Sequence, residues 1–164
     1  MNKRVDGVVE PTSVCTMTEV PEALTSLLAD VFALYIKTKN FHWHVHGPHF
    51  RDYHLLLDDQ ASAVFAMIDD VAERARKLGG MTIRSVGQIA RLQRIKDNDA
   101  PVVSAIAMLN ELIGDNRHLI SVMRNLYKLC DRKEDVATAS MLENWIDQTD
   151  GRIWFLSEIT NNEQ

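Results

Sequence analysis

Apolar residues recur at spacings of three and four near the start of the chain, the pattern of a helix with one buried face. They are Leu24, Leu28, Val31 and Tyr35. The pattern predicts a helix from near Pro21 to Gly47-Pro48, because proline suits a first helical turn, glycine ends helices and a later proline cannot continue them. Continued by the same steps, the stripe reaches His42. His42 is therefore expected on the buried face.

The same kind of pattern predicts three further helices and one long connection. The helices are expected at about residues 49–78, ending at Gly79-Gly80, from near Pro101 to about 131, and at about 134–159. Apolar residues at helical spacing within 81–100 predict a short extra helix in the connection between helices 2 and 3. No segment alternates like a β-strand. The predicted fold is all-α, a four-helix bundle with one long crossover connection.

Composition and the chain ends suggest the domain organisation. The 164 residues are 46% hydrophobic and 25% charged, which suits one folded domain, placed here at residues 21–160. Residues 1–20 lack periodicity and are predicted to form a mobile tail. Neither a leader pattern nor a membrane-spanning apolar run is present, so we expect a cytoplasmic protein and leave nucleoid association open. Cys15 and Cys130 are expected to be free thiols.

Histidines and carboxylates concentrate around the junction of the first two predicted helices. Five of the six histidines lie there: His42, His44, His46, His49 and His54. His54 and Asp58 are four residues apart, which places both on one face of the second helix. Asp69 and Glu73 share a face for the same reason. Because imidazole with carboxylate suits non-haem iron, the candidate metal ligands are His42, His54, Asp58, Asp69 and Glu73.

The rise of a helix decides which of these residues can share a metal. His54 and Asp69 are fifteen residues apart on one helix, which is about 22 Å along its axis, so one ion cannot bind both within a chain. Antiparallel packing of this helix against its own copy, about a twofold axis near residue 62, brings His54 of one chain to Asp69 and Glu73 of the other. Bundle proteins that hold two irons within one subunit use Glu-x-x-His, which this sequence lacks.

About 44 residues carry a family resemblance. The stretch KTKNFHWHVHGPHFRDYHLLLDD, followed by DDVAER and LGG, resembles the pattern of the Dps family, a branch of the ferritin-like superfamily. The resemblance implies a ferritin-like four-helix subunit in a hollow dodecamer that oxidises Fe(II), often with hydrogen peroxide, and stores a ferric core. It implies an inter-subunit site with two iron positions, formed on one side by His42, His54 and Asp58. Asp69 and Glu73 form the other side.

The chemistry of these groups suggests their roles. Asp58 and Glu73 supply negative charge that neutralises Fe(III) as it forms, while neutral His42 and His54 fix the position of the metal. Two Fe(II) ions give one electron each, so peroxide accepts two electrons without releasing hydroxyl radical. Trp43 matches the tryptophan beside the family's site and is a candidate donor of a further electron when only one iron is bound.

An acidic run on the fourth predicted helix has two interpretations. Glu143, Asp147 and Asp150 share one face. The default is a solvated stripe, whereas the resemblance implies an acidic iron-entry pore in this region.

Simpler roles are expected for the remaining histidines and tryptophans and for Arg74. His44, His46 and His49 are assigned to surface or loop packing. Trp145 and Trp154 are expected in the core. Arg74 fits either a pair with a carboxylate across an interface or a position on the surface.

The charge of the chain argues against strong binding of nucleic acid. The net charge is -5. Residues 1–20 contain two basic residues, Lys3 and Arg4, but three acidic ones, and residues 161–164 include no basic residue. Strong DNA binding is not expected, although many copies of the tail permit weak, salt-sensitive contact. The alternative function is a DNA-compacting starvation protein in which iron chemistry is secondary. A bundle whose histidines bind zinc or nothing is a poorer third possibility.

Overall fold

Five helices make up the part of the chain that the structure, a computed structural model, describes, which is residues 19–161. They are α1 (Glu19–His44), α2 (Phe50–Lys77), α3 (Val86–Leu92), α4 (Ala105–Arg132) and α5 (Val136–Thr160). No strand occurs within this range. The all-α prediction is confirmed, with four long helices and a short one in the long connection. The predicted tail lies outside this range except for residues 19–20, which belong to α1.

The four long helices surround one core. α1 packs along α2 and against α4, α5 packs along α4 and touches α2, and α3 lies on α1. Large side chains with almost no exposure fill the centre: Leu24, Leu28, Phe41, Leu57, Met67, Leu109, Met123 and Leu142. No helix between residues 19 and 161 is long and apolar enough to cross a membrane.

Two glycines end α2 where the sequence predicts. Gly79 has φ +80°, a conformation that residues with a Cβ rarely adopt. Gly80 lies so close to the start of α1 that an added Cβ would fall 2.2 Å from Cβ of Pro21. The end of α2 is therefore fixed against the first turn of α1.

Two predicted boundaries are displaced. α1 ends at His44, three residues before Gly47. α4 begins at Ala105 rather than near Pro101, because the Ser104 hydroxyl accepts a hydrogen bond from the Ala107 N–H and caps the helix there. A side-chain cap therefore determines the start of α4, and the proline lies in the preceding connection.

A buried carboxylate holds the long connection in place. Asp30 of α1 is fully buried and accepts hydrogen bonds from the backbone N–H of Arg94 at 2.5 Å and of Ile95 at 3.4 Å. The guanidinium of Arg94 lies 2.6 Å from the same carboxylate. The segment after α3 is thus tied to the middle of α1.

Helical rotation separates the two predicted core tryptophans. Trp145 is 5% exposed, whereas Trp154 is 60% exposed, so the core prediction is confirmed for the first and wrong for the second. Their separation of nine positions in the sequence corresponds to about half a turn of rotation beyond two full turns. Trp154 therefore lies on the opposite face of α5.

Candidate metal centre

Two histidines from different helices form a reciprocal pair. Nδ1 of His42 donates to the backbone carbonyl of His54 at 2.7 Å, and Nδ1 of His54 donates to the carbonyl of His42 at 2.8 Å. The rings stack with centroids 3.8 Å apart and an interplanar angle of 23°. Because a carbonyl can only accept, both rings carry their proton on Nδ1 and keep the Nε2 lone pair for a metal.

The turn between α1 and α2 brings this pair together. His42 lies in the last turn of α1 and His54 in the second turn of α2. Val45 is buried and its N–H bonds to the Phe41 carbonyl, while Gly47 has φ +114° and allows the chain to reverse. The prediction that His42 lies on a buried face is confirmed, since it is 8% exposed.

Asp58 lies beside the histidine pair. Its Oδ1 is 3.9 Å from Nε2 of His42 and 2.7 Å from Nζ of Lys39. The hydrogen bond from Lys39 is the largest influence on the carboxyl and lowers its pKa, against a smaller opposing effect of desolvation. Asp58 is therefore an ionised carboxylate beside one imidazole nitrogen of the histidine pair, and imidazole with carboxylate is a combination that suits iron.

Aromatic side chains surround this group. Trp43 follows His42 in the chain and is 60% exposed, with its ring centroid 5.9 Å from Nζ of Lys39. The ring of Phe50 lies 5.0 Å from that of His54. An aromatic ring thus lies beside His54, and an exposed tryptophan follows His42 in the chain.

Asp69 and Glu73 lie elsewhere on α2. Both are exposed, and Glu73 pairs with Lys77 at 3.1 Å. Within residues 19–161 of one chain, no three His, Cys, Asp or Glu side chains come close enough to hold a metal ion. In one chain Asp58 therefore lies near the His42–His54 pair without completing a metal site. Asp69 and Glu73 lie on the far part of the same helix, as its rise requires.

One exposed face of α2 connects these two groups. Asp58, Ser62, Phe65, Asp69 and Glu73 follow one another at steps of four and three, and all are exposed. Phe65 is 56% exposed and Leu55, near the same face, is 48% exposed. This face has candidate ligands at both ends and apolar or small residues between them.

The interior of the bundle is unsuited to a cation. Arg152 of α5 is 5% exposed and donates to Asn116 at 2.9 Å and to Thr149 at 2.7 Å. Neither partner is charged, and Nη1 has no partner among the described residues. Burial lowers the pKa of Arg152 to about 10, so it remains a cation at neutral pH. A second cation nearby would be repelled.

The predicted acidic stripe is exposed along α5 and borders a groove against α4. Glu143, Asp147 and Asp150 line it together with Arg124 and Lys128. A hydrogen bond with Glu143 raises the pKa of Tyr127. The stripe therefore faces cations within its own chain, and its role in iron entry stays a prediction.

Three further histidines lie near the site. His44 and His46, as expected, are exposed, and each Nδ1 bonds to a nearby backbone carbonyl, that of Asn40 at 2.8 Å and that of His44 at 3.2 Å. His49 is exposed at the N-cap of α2.

Sequence analysis missed Lys39, because a lysine on a helix usually extends into water. Its position three residues before His42 was the available signal.

Comparison with known proteins identifies similar sequences and structures. Residues 21–164 match the ferritin-like domain family. A low temperature-induced protein of Nostoc sp. is 36% identical over 133 residues, which cover 79% of this chain and 73% of that protein. DNA protection during starvation protein 1 of Deinococcus radiodurans is 31% identical over 145 residues, covering 88% of this chain and 70% of that one. The X-ray structure of Dps from Thermosynechococcus elongatus matches with a TM-score of 0.83 at 28% identity, covering 86% of this chain and 89% of that one.

The helices and the family match define a ferritin-like protein. Within this class the chain belongs to the Dps family, as its motif around the histidine pair predicted.

Proposed function

We propose that this protein is a cytoplasmic ferroxidase and iron store, in which pairs of subunits oxidise Fe(II) between them and a hollow dodecamer holds the ferric product. Fe(II) is the substrate, with two iron positions at each centre. The observation that carries the proposal is the His42–His54 pair, whose reciprocal hydrogen bonds leave both Nε2 atoms available at one end of an exposed helix face. Membership of a ferritin-like family supports iron as the metal.

The second half of each centre comes from a neighbouring subunit. If α2 packs antiparallel on its copy about an axis at Ser62, Asp69 of one chain lies opposite Leu55 of the other, beside His54. Glu73 then lies opposite Arg51. The exposed Leu55 and Phe65 support this contact, because their burial between the helices stabilises the pair.

Each side chain has a definite task in this arrangement. His42 and His54 hold metal through Nε2 in fixed rings. Asp58 and the neighbour's Asp69 and Glu73 supply the negative charge that balances Fe(III). Two Fe(II) and two protons reduce one hydrogen peroxide to two waters, so no one-electron product of peroxide is released. Trp43, next to His42, is proposed as an electron donor when a single iron is present.

DNA protection follows from this chemistry without strong DNA binding. The name of the Deinococcus relative states protection of DNA, and removal of Fe(II) and peroxide removes the reagents that make hydroxyl radical. The net charge of -5 opposes strong contact with phosphates. Compaction of DNA as the primary function remains the alternative.

The proposal is tested by adding Fe(II) anaerobically and then hydrogen peroxide. Ferric absorbance should rise with two irons oxidised per peroxide, and the oxidised iron should elute with a particle of dodecamer size. A His54→Ala variant should lose this activity, and a His118→Ala variant, altered on the exposed surface of α4, should keep it. Equal loss of activity in both variants, or ferric iron that never accompanies the protein, argues against the proposal.

A further inference from the structure

The interior of the bundle contains a cation that has no carboxylate partner. Arg152 of α5 is 5% exposed, and no acidic side chain of residues 19–161 pairs with its guanidinium. Its partners are neutral: Nε donates to Oδ1 of Asn116 on α4 at 2.9 Å, and Nη2 donates to the Thr149 hydroxyl at 2.7 Å. Burial lowers the pKa of Arg152 only to about 10, so the side chain is protonated at neutral pH. Its positive charge is not balanced by this chain.

The other buried basic side chain shows the usual arrangement. Among the described residues, Lys37 is the only other lysine or arginine that is buried, and it is likewise 5% exposed. Its ammonium pairs with Glu111 at 2.9 Å and with Asp115 at 2.8 Å. Buried charges are paired in this way because removal of an ion from water costs several kcal/mol. The difference between Lys37 and Arg152 indicates that a group from outside the chain balances the charge of Arg152.

One nitrogen of the guanidinium indicates where such a group binds. Nη1 of Arg152 is buried and has no hydrogen-bond partner among the described residues. The acceptors beside it are already engaged, since Asn116 Oδ1 accepts from Nε and the Thr149 hydroxyl accepts from Nη2. The same hydroxyl donates to the Trp145 carbonyl at 2.6 Å. The N–H groups of Nη1 are therefore left for a ligand that accepts hydrogen bonds.

We propose that a halide ion, such as chloride, binds at Nη1 of Arg152 and is the buried counter-ion of its guanidinium. The single negative charge of a halide balances the single positive charge of Arg152, and a halide accepts hydrogen bonds from any direction. Phosphate and sulfate carry more charge than one guanidinium balances, and each needs donors for several oxygens. The inference does not depend on the proposed iron chemistry.

The proposed site lies where three helices meet. Nη2 of Arg152 is 3.9 Å from Sδ of Met67 on α2, and the amide of Gln60, also on α2, donates to the Arg152 backbone carbonyl at 3.2 Å. Asn116 brings in α4. A halide at this junction offsets the cost of burying the guanidinium. Because it binds the folded chain and not the unfolded one, it stabilises the fold more as its concentration rises.

Bromide in place of chloride tests the site directly, because bromide is located by its anomalous scattering. Crystals of the assembled wild type grown with bromide should show an anomalous peak at hydrogen-bond distance from Nη1. Arg152→Met should lack this peak.

Thermal melting tests the same site in solution. At constant ionic strength, replacement of methanesulfonate by chloride should raise the Tm of the wild type. Above the Kd of the site, each tenfold rise in chloride should favour the folded state by up to about tenfold per subunit. Arg152→Met should remove this dependence. Arg117→Met is the control, since it removes the same charge from the exposed surface of α4, next to Asn116, and should keep the dependence.

Three results would overturn the proposal. The first is a wild-type map with an ordered water, and no bromide, at Nη1. The second is a chloride dependence of Tm that Arg152→Met retains. The third is a bromide peak without any chloride dependence in solution, which means an adventitious ion only. If Arg152→Met does not assemble, the bromide map and the chloride dependence of the wild type still decide.

Discussion

Arg74 and Asp135 form an ion pair of 2.6 Å that joins the end of α2 to the first turn of α5. Arg74 also donates to the Thr138 hydroxyl at 2.7 Å, and Asp135 accepts from the Thr138 N–H as the N-cap of α5. Arg74 was expected either to pair with a carboxylate across an interface or to lie on the surface, and the structure instead shows a carboxylate partner within its own chain. Because Glu73 precedes Arg74, this pair also holds the carboxylate end of the proposed centre in place.

Asp135→Ala should lower the free energy of unfolding by about 1–2 kcal/mol at neutral pH, as expected for loss of a cap and its partner. Burial tends to raise the pKa of Asp135, but the hydrogen bonds from Thr138 and Arg74 outweigh it and lower the pKa. A lowered pKa stabilises the folded state above the carboxyl's unfolded value of about 4, and this contribution disappears as the pH falls through the folded value. Urea unfolding from pH 7 to pH 3 should show the difference between variant and wild type shrinking. A constant difference would contradict this account.

Substitution of His54 by asparagine should separate the structural role of this side chain from its role in binding metal. The asparagine amide can donate to the His42 carbonyl as Nδ1–H does, but it offers no Nε2. His54→Asn should therefore stay within about 0.5 kcal/mol of the wild type, whereas His54→Ala should lose about 1 kcal/mol more by leaving a carbonyl unpaired. Both variants should lose iron oxidation. Thermal melting and peroxide-driven iron oxidation measure the two effects, and an active His54→Asn variant would exclude Nε2 as a ligand.

Gly80→Ala should destabilise the fold by about 1–3 kcal/mol, because its Cβ overlaps Pro21 and forces α1 and α2 apart. Gly114→Ala is the matched control. It lies within α4, where an added Cβ meets nothing within 4 Å, and should stabilise the helix by about 0.5–1 kcal/mol. Denaturant unfolding compares the two variants. Equal changes in stability, of the same sign in both variants, would show that Pro21 moves aside without strain.

The acidic stripe on α5 should matter for the rate of iron uptake if it lines an entry path. Glu143→Gln with Asp147→Asn should slow uptake roughly tenfold at low salt, because acidic side chains along an entry path raise the local concentration of cations. The effect should fall at high salt, and Asp131→Asn on α4 should leave the rate unchanged. Stopped-flow measurement of iron uptake tests this. An unchanged rate in the double variant would leave a solvated stripe alongside Arg124 and Lys128.

Much of the fold and part of the centre follow from the sequence because both depend on helical periodicity. The steps of three and four that predict α1 also bury His42, and the spacing of four places Asp58 beside His54. Contacts between helices are harder to predict from the sequence. Lys37 lies among polar neighbours in the sequence, yet it is 5% exposed and pairs with Glu111 at 2.9 Å and Asp115 at 2.8 Å on α4.

Lys39 and Arg152 are two further residues whose contacts between helices the sequence does not predict. Spacing along one helix cannot identify a partner on another helix, so neither the contact of Lys39 with Asp58 nor the burial of the Arg152 guanidinium could be predicted. The start of α4 differs because the Ser104 cap, rather than Pro101, ends the connection.

The central claim is that each iron centre takes its histidines from one subunit and Asp69 and Glu73 from another. Two inactive variants test it directly: a subunit with His42→Ala and His54→Ala, and a subunit with Asp69→Asn and Glu73→Gln. Each should be inactive alone. Unfolded together and reassembled in equal amounts, they should recover about a quarter of the wild-type iron oxidation, because half of the pairs are mixed and each mixed pair contains one intact centre. A reassembled mixture that remains as inactive as its parents would contradict a centre shared between subunits.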